Sequence, residues 1–269
     1  MTDTCSKKPC TLEEYKEWFK TELGIELSAS DQKRYETIQI RIKHDFENSA
    51  CWRELNKEFQ NYRDEYYSTH NGFHLFISEP APKLLLKSYD SLVEKTFRKN
   101  IIENNDWPGP PPSGWISPTN WFSRINDIIR TLLEVKYLDG VQFLIDKLCD
   151  YCERNGVQHL PPSLEAKETG YYAAHFYVLR EFEIPGIKWD TEKTAGTVEI
   201  QVTTQLQEII RGLLHRYYDK RRKLVEKEPL KWQWDYRCEE FAANYLGHIL
   251  HYVEGMIMEI REKQLEKKP

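Results

Sequence analysis

Residues 198–204 read Val-Glu-Ile-Gln-Val-Thr-Thr, a strict alternation of branched apolar and polar side chains. At helical periodicity those apolar residues would scatter around the cylinder, whereas at period two they form one face of a strand. A strand here buries Val198, Ile200 and Val202 and presents Glu199 and Gln201 together on the opposite face, a carboxylate beside an amide. A second run, Tyr171 to Ile184, carries the same kind of apolar alternation. The two runs read as a long hairpin.

Upstream, residues 127–135 (DIIRTLLEV) read as a strand and residues 140–156 (GVQFLIDKLCDYCERNG) as an amphipathic helix. Strand and helix alternate first and a hairpin follows, which predicts an α+β fold: a mixed sheet with helices on one face. Leu84 to Ser88 supply a further strand, leading into a helix that begins near Asp90. Amphipathic helices are expected over 11–23 and 29–67, with Thr11 and Ser28 or Ser30 as N-caps. After the hairpin come a helix over about 204–225, a break at Pro229, and a helix over about 236–263. The expected division is an N-terminal helical region at 1–78, a catalytic domain at 79–225 and a C-terminal helical extension at 226–269.

Composition limits what such a chain does. With 40% hydrophobic and 30% charged residues it is expected to be a soluble globular protein, and its net charge of −5 argues against nonspecific coating of nucleic acid. No apolar run approaches the length of a membrane span, and MTDTCSKKPC lacks the apolar centre of a signal peptide, so a cytoplasmic location without membrane attachment is expected. Cys149 and Cys152 have CxxC spacing without a second pair, which reads as two reduced thiols on a helix. The Pro/Gly-rich segment 105–120 with Trp107 and Trp115 reads equally as a functional loop, a lid or a partner-binding surface, and as a rigid cover packed on the core.

Two clusters carry chemistry. Ser91, Lys95 and Arg98 fall at i, i+4 and i+7 and share a helix face, with Lys87 arriving from the preceding strand. Such a cationic face suits a triphosphate, against the plainer reading of a solvated surface. The second cluster is Glu199 and Gln201 with Tyr171 and His175 on the neighbouring run.

Taken in order, KSYDSLVEKTFRK (87–99), INDIIRTLLEV (125–135), GYYAAH (170–175), VEIQV (198–202) and a following helix with His215, Tyr218 and Lys220 resemble the synthetase domain of the RelA/SpoT family of pyrophosphate-transferring enzymes. The resemblance covers roughly residues 83–222. It implies a nucleotidyltransferase-like sheet and Mg2+ held by Asp127 and Glu199, with Glu199 alternatively activating the attacking hydroxyl and Gln201 orienting it. It implies ATP on Lys87, Ser91, Lys95 and Arg98, and an acceptor on Tyr171, through its ring, with His175, His215 and Lys220. The sequence departs from the family pattern at four places. Thr203 stands where the family carries Arg after VEIQ, Tyr172-Ala173 replace an Arg-Ser pair, Arg130-Thr131-Leu132 replace Gly-x-Arg, and Leu85 replaces the Arg that often opens the donor segment.

The function implied is transfer of pyrophosphate from ATP to a nucleotide 3′ hydroxyl, as a (p)ppGpp-type alarmone synthetase (GTP diphosphokinase-like) of a stress response. One alternative is a toxin-like enzyme that modifies the 3′ end of tRNA and has an antitoxin protein as partner. For it, the basic run Arg211 to Lys227 would bind the RNA backbone, although a solvated helix face is the default reading. A second alternative is a noncatalytic nucleotide-binding or interaction protein.

Overall fold

A computed structural model describes residues 7–185, 191–212 and 232–266. Each N-terminal helix starts where a side-chain oxygen satisfies an otherwise unpaired amide. Thr11 caps α1 (Leu12–Leu23) in a reciprocal box with Glu14, and Ser28, rather than Ser30, does the same for α2 (Ala29–Glu47) with Asp31. The single helix expected over 29–67 is two. Ser49 donates its hydroxyl to the Phe46 carbonyl (2.7 Å) and accepts the Trp52 amide (3.2 Å), which closes α2 and opens α3 (Ala50–Thr69).

The sheet has five strands: β1 (Leu85–Leu86), β2 (Ile129–Val135), β3 (Ser163–Ala166), β4 (Tyr172–Pro185) and β5 (Thr191–Thr204), in the order β1-β2-β5-β4-β3. Only the β2–β5 pair is parallel, so the sheet is mixed, as the pattern of elements predicts. The expected hairpin is β4–β5, in register from Ala174 opposite Val202 to Pro185 opposite Thr191. β3 was not anticipated, because its four residues are mostly exposed and lack an apolar face.

One face of the sheet is mainly apolar, with Thr131 of β2 and Thr204 of β5 as buried polar residues on it. Ile129, Leu133 and Val135 of β2, Ala174, Phe176 and Val178 of β4, and Val198, Ile200 and Val202 of β5 are all buried. Helix α6 (Leu138–Asn155) lies against these strands with Leu144, Ile145, Leu148 and Tyr151 buried. Each large apolar side chain buried this way contributes roughly 1.5–3 kcal/mol. Tyr15 of α1, Ile42 of α2 and Phe59 of α3 belong to the same continuous core as Phe176 and Ile200 of the sheet.

The segment 105–120 is a packed cover. Trp107 and Trp115 pack on Trp18 with ring centroids 5.2 and 5.0 Å away, and Asn100 holds both the amide (3.0 Å) and the carbonyl (2.9 Å) of Ile116. The lid alternative is set aside for that reason. Residues 205–212 are helical (α7), and among the described residues the 3-10 turn Trp232–Trp234 and α8 (Glu239–Glu266) come next. Position 229, where a break was expected, lies outside the described residues. Among the described residues no helix is long and apolar enough to cross a membrane.

Candidate active site

The donor-side residues gather around one carboxylate. Helix α4 (Tyr89–Phe97) starts at Ser88, whose hydroxyl accepts the Ser91 amide, so Lys87 sits just ahead of the helix and Lys95 two turns into it. Both reach Asp127, which immediately precedes β2: Lys87 Nζ lies 3.0 Å from Oδ2 and Lys95 Nζ 2.9 Å from Oδ1. Each carboxylate oxygen of Asp127 thus faces one ammonium group. Burial pulls the Asp127 pKa upward, but the charges of Lys95 and Lys87 outweigh it and hold the carboxyl at about 2.

Burial acts on Lys87 and on its neighbour Lys99. Burial pushes the Lys87 pKa down, and the nearby charge of Lys95 adds to this against the pull of Asp127. Lys99 is pushed down by burial and by Lys95 in the same way. One carboxylate therefore faces several half-buried ammonium groups, a local excess of positive charge that an anionic ligand would relieve. The other two predicted donor residues point elsewhere. Ser91 accepts a hydrogen bond from the Ser88 hydroxyl at 2.9 Å on the exposed first turn, and Arg98 pairs with Glu103 at 2.8 Å across the π-turn Arg98–Ile102.

On the polar face of β5 stand Glu199 and Gln201, both buried, as the alternation predicts. Strand register sets their neighbours: Arg130 of β2 lies beside Glu199 on one side, and Tyr177 and His175 of β4 lie opposite Glu199 and Gln201 on the other. The Thr197 hydroxyl donates to the Asn126 carbonyl at 2.9 Å, which ties the segment carrying Asp127 to the strand carrying Glu199. Asp127, in the turn that leads into β2, is thus brought beside Glu199 on the adjacent strand β5.

His175 joins the acceptor-side groups. Its Nδ1 is 2.5 Å from Glu199 Oε1, while Nε2 is 3.4 Å from Glu165 Oε2 and 3.3 Å from the Tyr171 hydroxyl. A carboxylate only accepts, so Nδ1 carries the proton on the Glu199 side. The Gln201 amide donates to the Tyr171 hydroxyl. The Tyr171 ring is half-buried, with Lys167 Nζ 5.0 Å from its centroid. Its hydroxyl is held protonated, first by burial and then by the charges of Glu165 and Glu199.

Behind this flank α8 approaches as closely as backbones allow. Gly170 has φ +73°, and a Cβ there would run into the Asn244 carbonyl and the Gly247 backbone. The Tyr172 hydroxyl meets His248 Nδ1 at 2.8 Å and its ring stacks on His251 at 3.7 Å, so Tyr172 is committed to the α8 contact. Thr203 donates its hydroxyl to the Tyr172 carbonyl at 3.0 Å. The residues in two positions expected to hold acceptor phosphates are thus used internally.

His215, Lys220 and the basic run beyond position 212 lie outside the described residues; Arg211, its first member, pairs with Glu208 at 2.6 Å. Four site residues were missed by sequence reasoning. Tyr177 and Arg130 follow from register with Glu199, and the period-two pattern of their strands could have nominated them once the pairing was assumed. Lys99 continues the face of Lys95, four residues on. Glu165 sits on the unforeseen strand β3 and had no local signal.

No protein-family model and no curated protein matches the sequence. Solved structures do match in fold. The crystal structure of small alarmone synthetase 1 from Bacillus subtilis superposes with a TM-score of 0.54 at 15% identity, over 87% of this chain and 97% of that one. The same enzyme bound to its product pppGpp gives 0.52 at 16% identity, over 79% and 92%. A GTP pyrophosphokinase family protein from Streptococcus pneumoniae gives 0.51 at 18% identity, over 88% and 98%. The chain therefore has the fold of the small alarmone synthetases, in agreement with the RelA/SpoT-type architecture that its motifs imply.

Proposed function

We propose that this chain is a pyrophosphotransferase, moving the β,γ-pyrophosphoryl group of ATP to the 3′ hydroxyl of a nucleotide acceptor, as alarmone synthetases do. The observation that carries the reading is the convergence of Lys87 and Lys95 on Asp127, one strand away from Glu199. In this reading, the acceptor oxygen forms a bond to the β-phosphorus of ATP, the bond from that phosphorus to the bridging oxygen of the α-phosphate breaks, and AMP leaves. Lys87, Lys95 and Lys99 bind the phosphates. Glu199 takes the hydroxyl proton, with His175 fixing its orientation through Oε1. Tyr171 stacks on the acceptor base, and Gln201 holds Tyr171 in place.

Magnesium fits this arrangement. Among the described residues no cluster of three or more ligating side chains exists, but magnesium is commonly held by one or two carboxylates together with substrate phosphates. Half-buried Asp127 and buried Glu199, the carboxylates on either side of the β2–β5 seam, are the residues that would hold it. The ion, when bound, supplies charge neutralisation of the triphosphate.

A second reading concerns the acceptor. Thr203 and Tyr172 stand where cations would hold a highly phosphorylated guanine nucleotide, and both are engaged in internal contacts. That favours an acceptor with fewer phosphates, an adenine nucleotide or the 3′ end of tRNA. The test is to supply β,γ-labelled ATP and magnesium with GDP, GTP, AMP or deacylated tRNA in turn. AMP release with label on one acceptor is expected. Absence of AMP with every acceptor would overturn the proposal.

A further inference from the structure

Arg130 stands where the two flanks of the site meet. Along β2 its neighbours Ile129 and Thr131 are buried in the core, so Arg130 projects from the opposite face, the one that carries Glu199 and Gln201. Strand register sets it directly beside Glu199, with Tyr177 on the far side of that carboxylate, in one row across three strands. On the donor side, Asp127 lies three residues before it, and β1, which pairs with it at Leu85, leads straight into Lys87.

Its charge is felt on both flanks. The Lys87 ammonium is pushed down first by burial and then by Lys95, and Arg130 adds to this; at Tyr171 the same guanidinium opposes the burial and the carboxylates that keep the hydroxyl protonated. The other arginines beside the site are committed, Arg98 to Glu103 at 2.8 Å and Arg211 to Glu208 at 2.6 Å. Among the described residues no carboxylate lies within ion-pair distance of Arg130, and Glu199, its neighbour in register, is engaged by His175 instead. A half-buried guanidinium that adds to the cationic side of the site is costly unless an anion offsets it.

We infer that Arg130 holds the pyrophosphoryl group in transit, donating to oxygens of the β-phosphate as it passes from ATP to the acceptor. The inference rests on the pyrophosphotransfer proposed above and adds a catalytic residue to it. During transfer the acceptor oxygen bonds to the β-phosphorus, the bond from that phosphorus to the bridging oxygen breaks with its electron pair leaving on AMP, and the hydroxyl proton goes to Glu199. The β-phosphate therefore reacts between the lysine cluster and Glu199, and Arg130 is the cation in register with that gap. A planar guanidinium can span two phosphate oxygens with parallel hydrogen bonds, which the point charge of an ammonium does not. Lys87 and Lys95 hold the donor in the ground state, whereas Arg130 is placed where charge shifts in the transition state.

The test is AMP release from wild type, Arg130→Ala and Arg130→Lys, with ATP and the acceptor used by the wild type varied independently. Arg130→Ala should lower kcat about a hundred- to a thousandfold while the KM for each substrate stays within about threefold. Guanidinium ion at a non-denaturing concentration should restore part of that kcat, and sodium at equal ionic strength should not. Arg130→Lys keeps the stem and the charge, which guards against misfolding, but loses the fork and should turn over roughly tenfold or more below wild type. Near-normal kcat in Arg130→Ala, a loss confined to either KM, equal effects of guanidinium and sodium, or full activity in Arg130→Lys would each overturn the assignment and leave the pyrophosphotransfer reading standing. Absence of AMP release from the wild type would remove that reading, and this inference with it.

Discussion

The two flanks of the site solve opposite electrostatic problems. On the donor flank, cations from α4 and the end of β1 crowd around the single carboxylate of Asp127, and burial makes the Lys87 ammonium costlier to keep charged. On the acceptor flank, the carboxylates of Glu165 and Glu199 sit on either side of His175, with Tyr171 and Gln201 closing the group. The first flank lacks negative charge and the second has it to spare. A triphosphate and a hydroxyl about to lose its proton need those two environments, and they lie side by side along one sheet.

The comparison breaks most visibly at Glu199. Glu199→Gln keeps size and loses the charge, so transfer should fall on the order of a hundred- to ten-thousandfold with the melting curve little changed. Near-normal turnover would remove Glu199 from the chemistry. Next in size is the donor flank: Lys95→Ala gives up a charge-assisted contact worth roughly 1.5–3 kcal/mol, so the ATP concentration for half-maximal rate should rise about ten- to a hundredfold. Arg98→Ala should do much less, because Arg98 is held by Glu103. Equal effects in steady-state titrations would mean that Arg98 swings onto ATP.

Stability sharpens the same contrast. Asp127 has a pKa depressed from 3.8 to about 2, so its pairing contributes stability that is fully present above the unfolded value and is lost as pH falls through the folded one. The contribution is on the order of 2 kcal/mol. Denaturant midpoints measured from pH 5 down to pH 2 should decline in the wild type, and Asp127→Asn should start lower and decline less. A parallel decline in both would assign the acid limb to other groups. The smallest expected effect is Tyr171→Phe, which keeps the ring and loses the Gln201 contact, and should change acceptor use only a few-fold.

Much of this was legible in the chain. The alternation at 198–204 sorts Val198, Ile200 and Val202 from Glu199 and Gln201, because a strand's two faces have different solvents. Thr11 and Ser28 identified helix starts because few side chains can reach the first free amides. The break at Asn48–Ser49 was hidden, since a serine suits both a solvated helix face and a cap. Arg98 misled for a geometric reason: helical spacing groups it with Lys95, but the π-turn starting there leads it to Glu103. Glu165 and Tyr177 reach the site through strand pairing, which is a property of the whole sheet and leaves no local trace.

Separability of the two flanks is tested most directly by initial rates measured while ATP and acceptor are varied independently, for Lys95→Ala and Tyr171→Ala side by side. Loss of the Tyr171 ring removes roughly 1–3 kcal/mol of base stacking. The account predicts a crossed result: Lys95→Ala raises the ATP requirement and spares the acceptor, and Tyr171→Ala raises the acceptor requirement and spares ATP. Both variants shifting the same substrate, or both shifting the two equally, would contradict it.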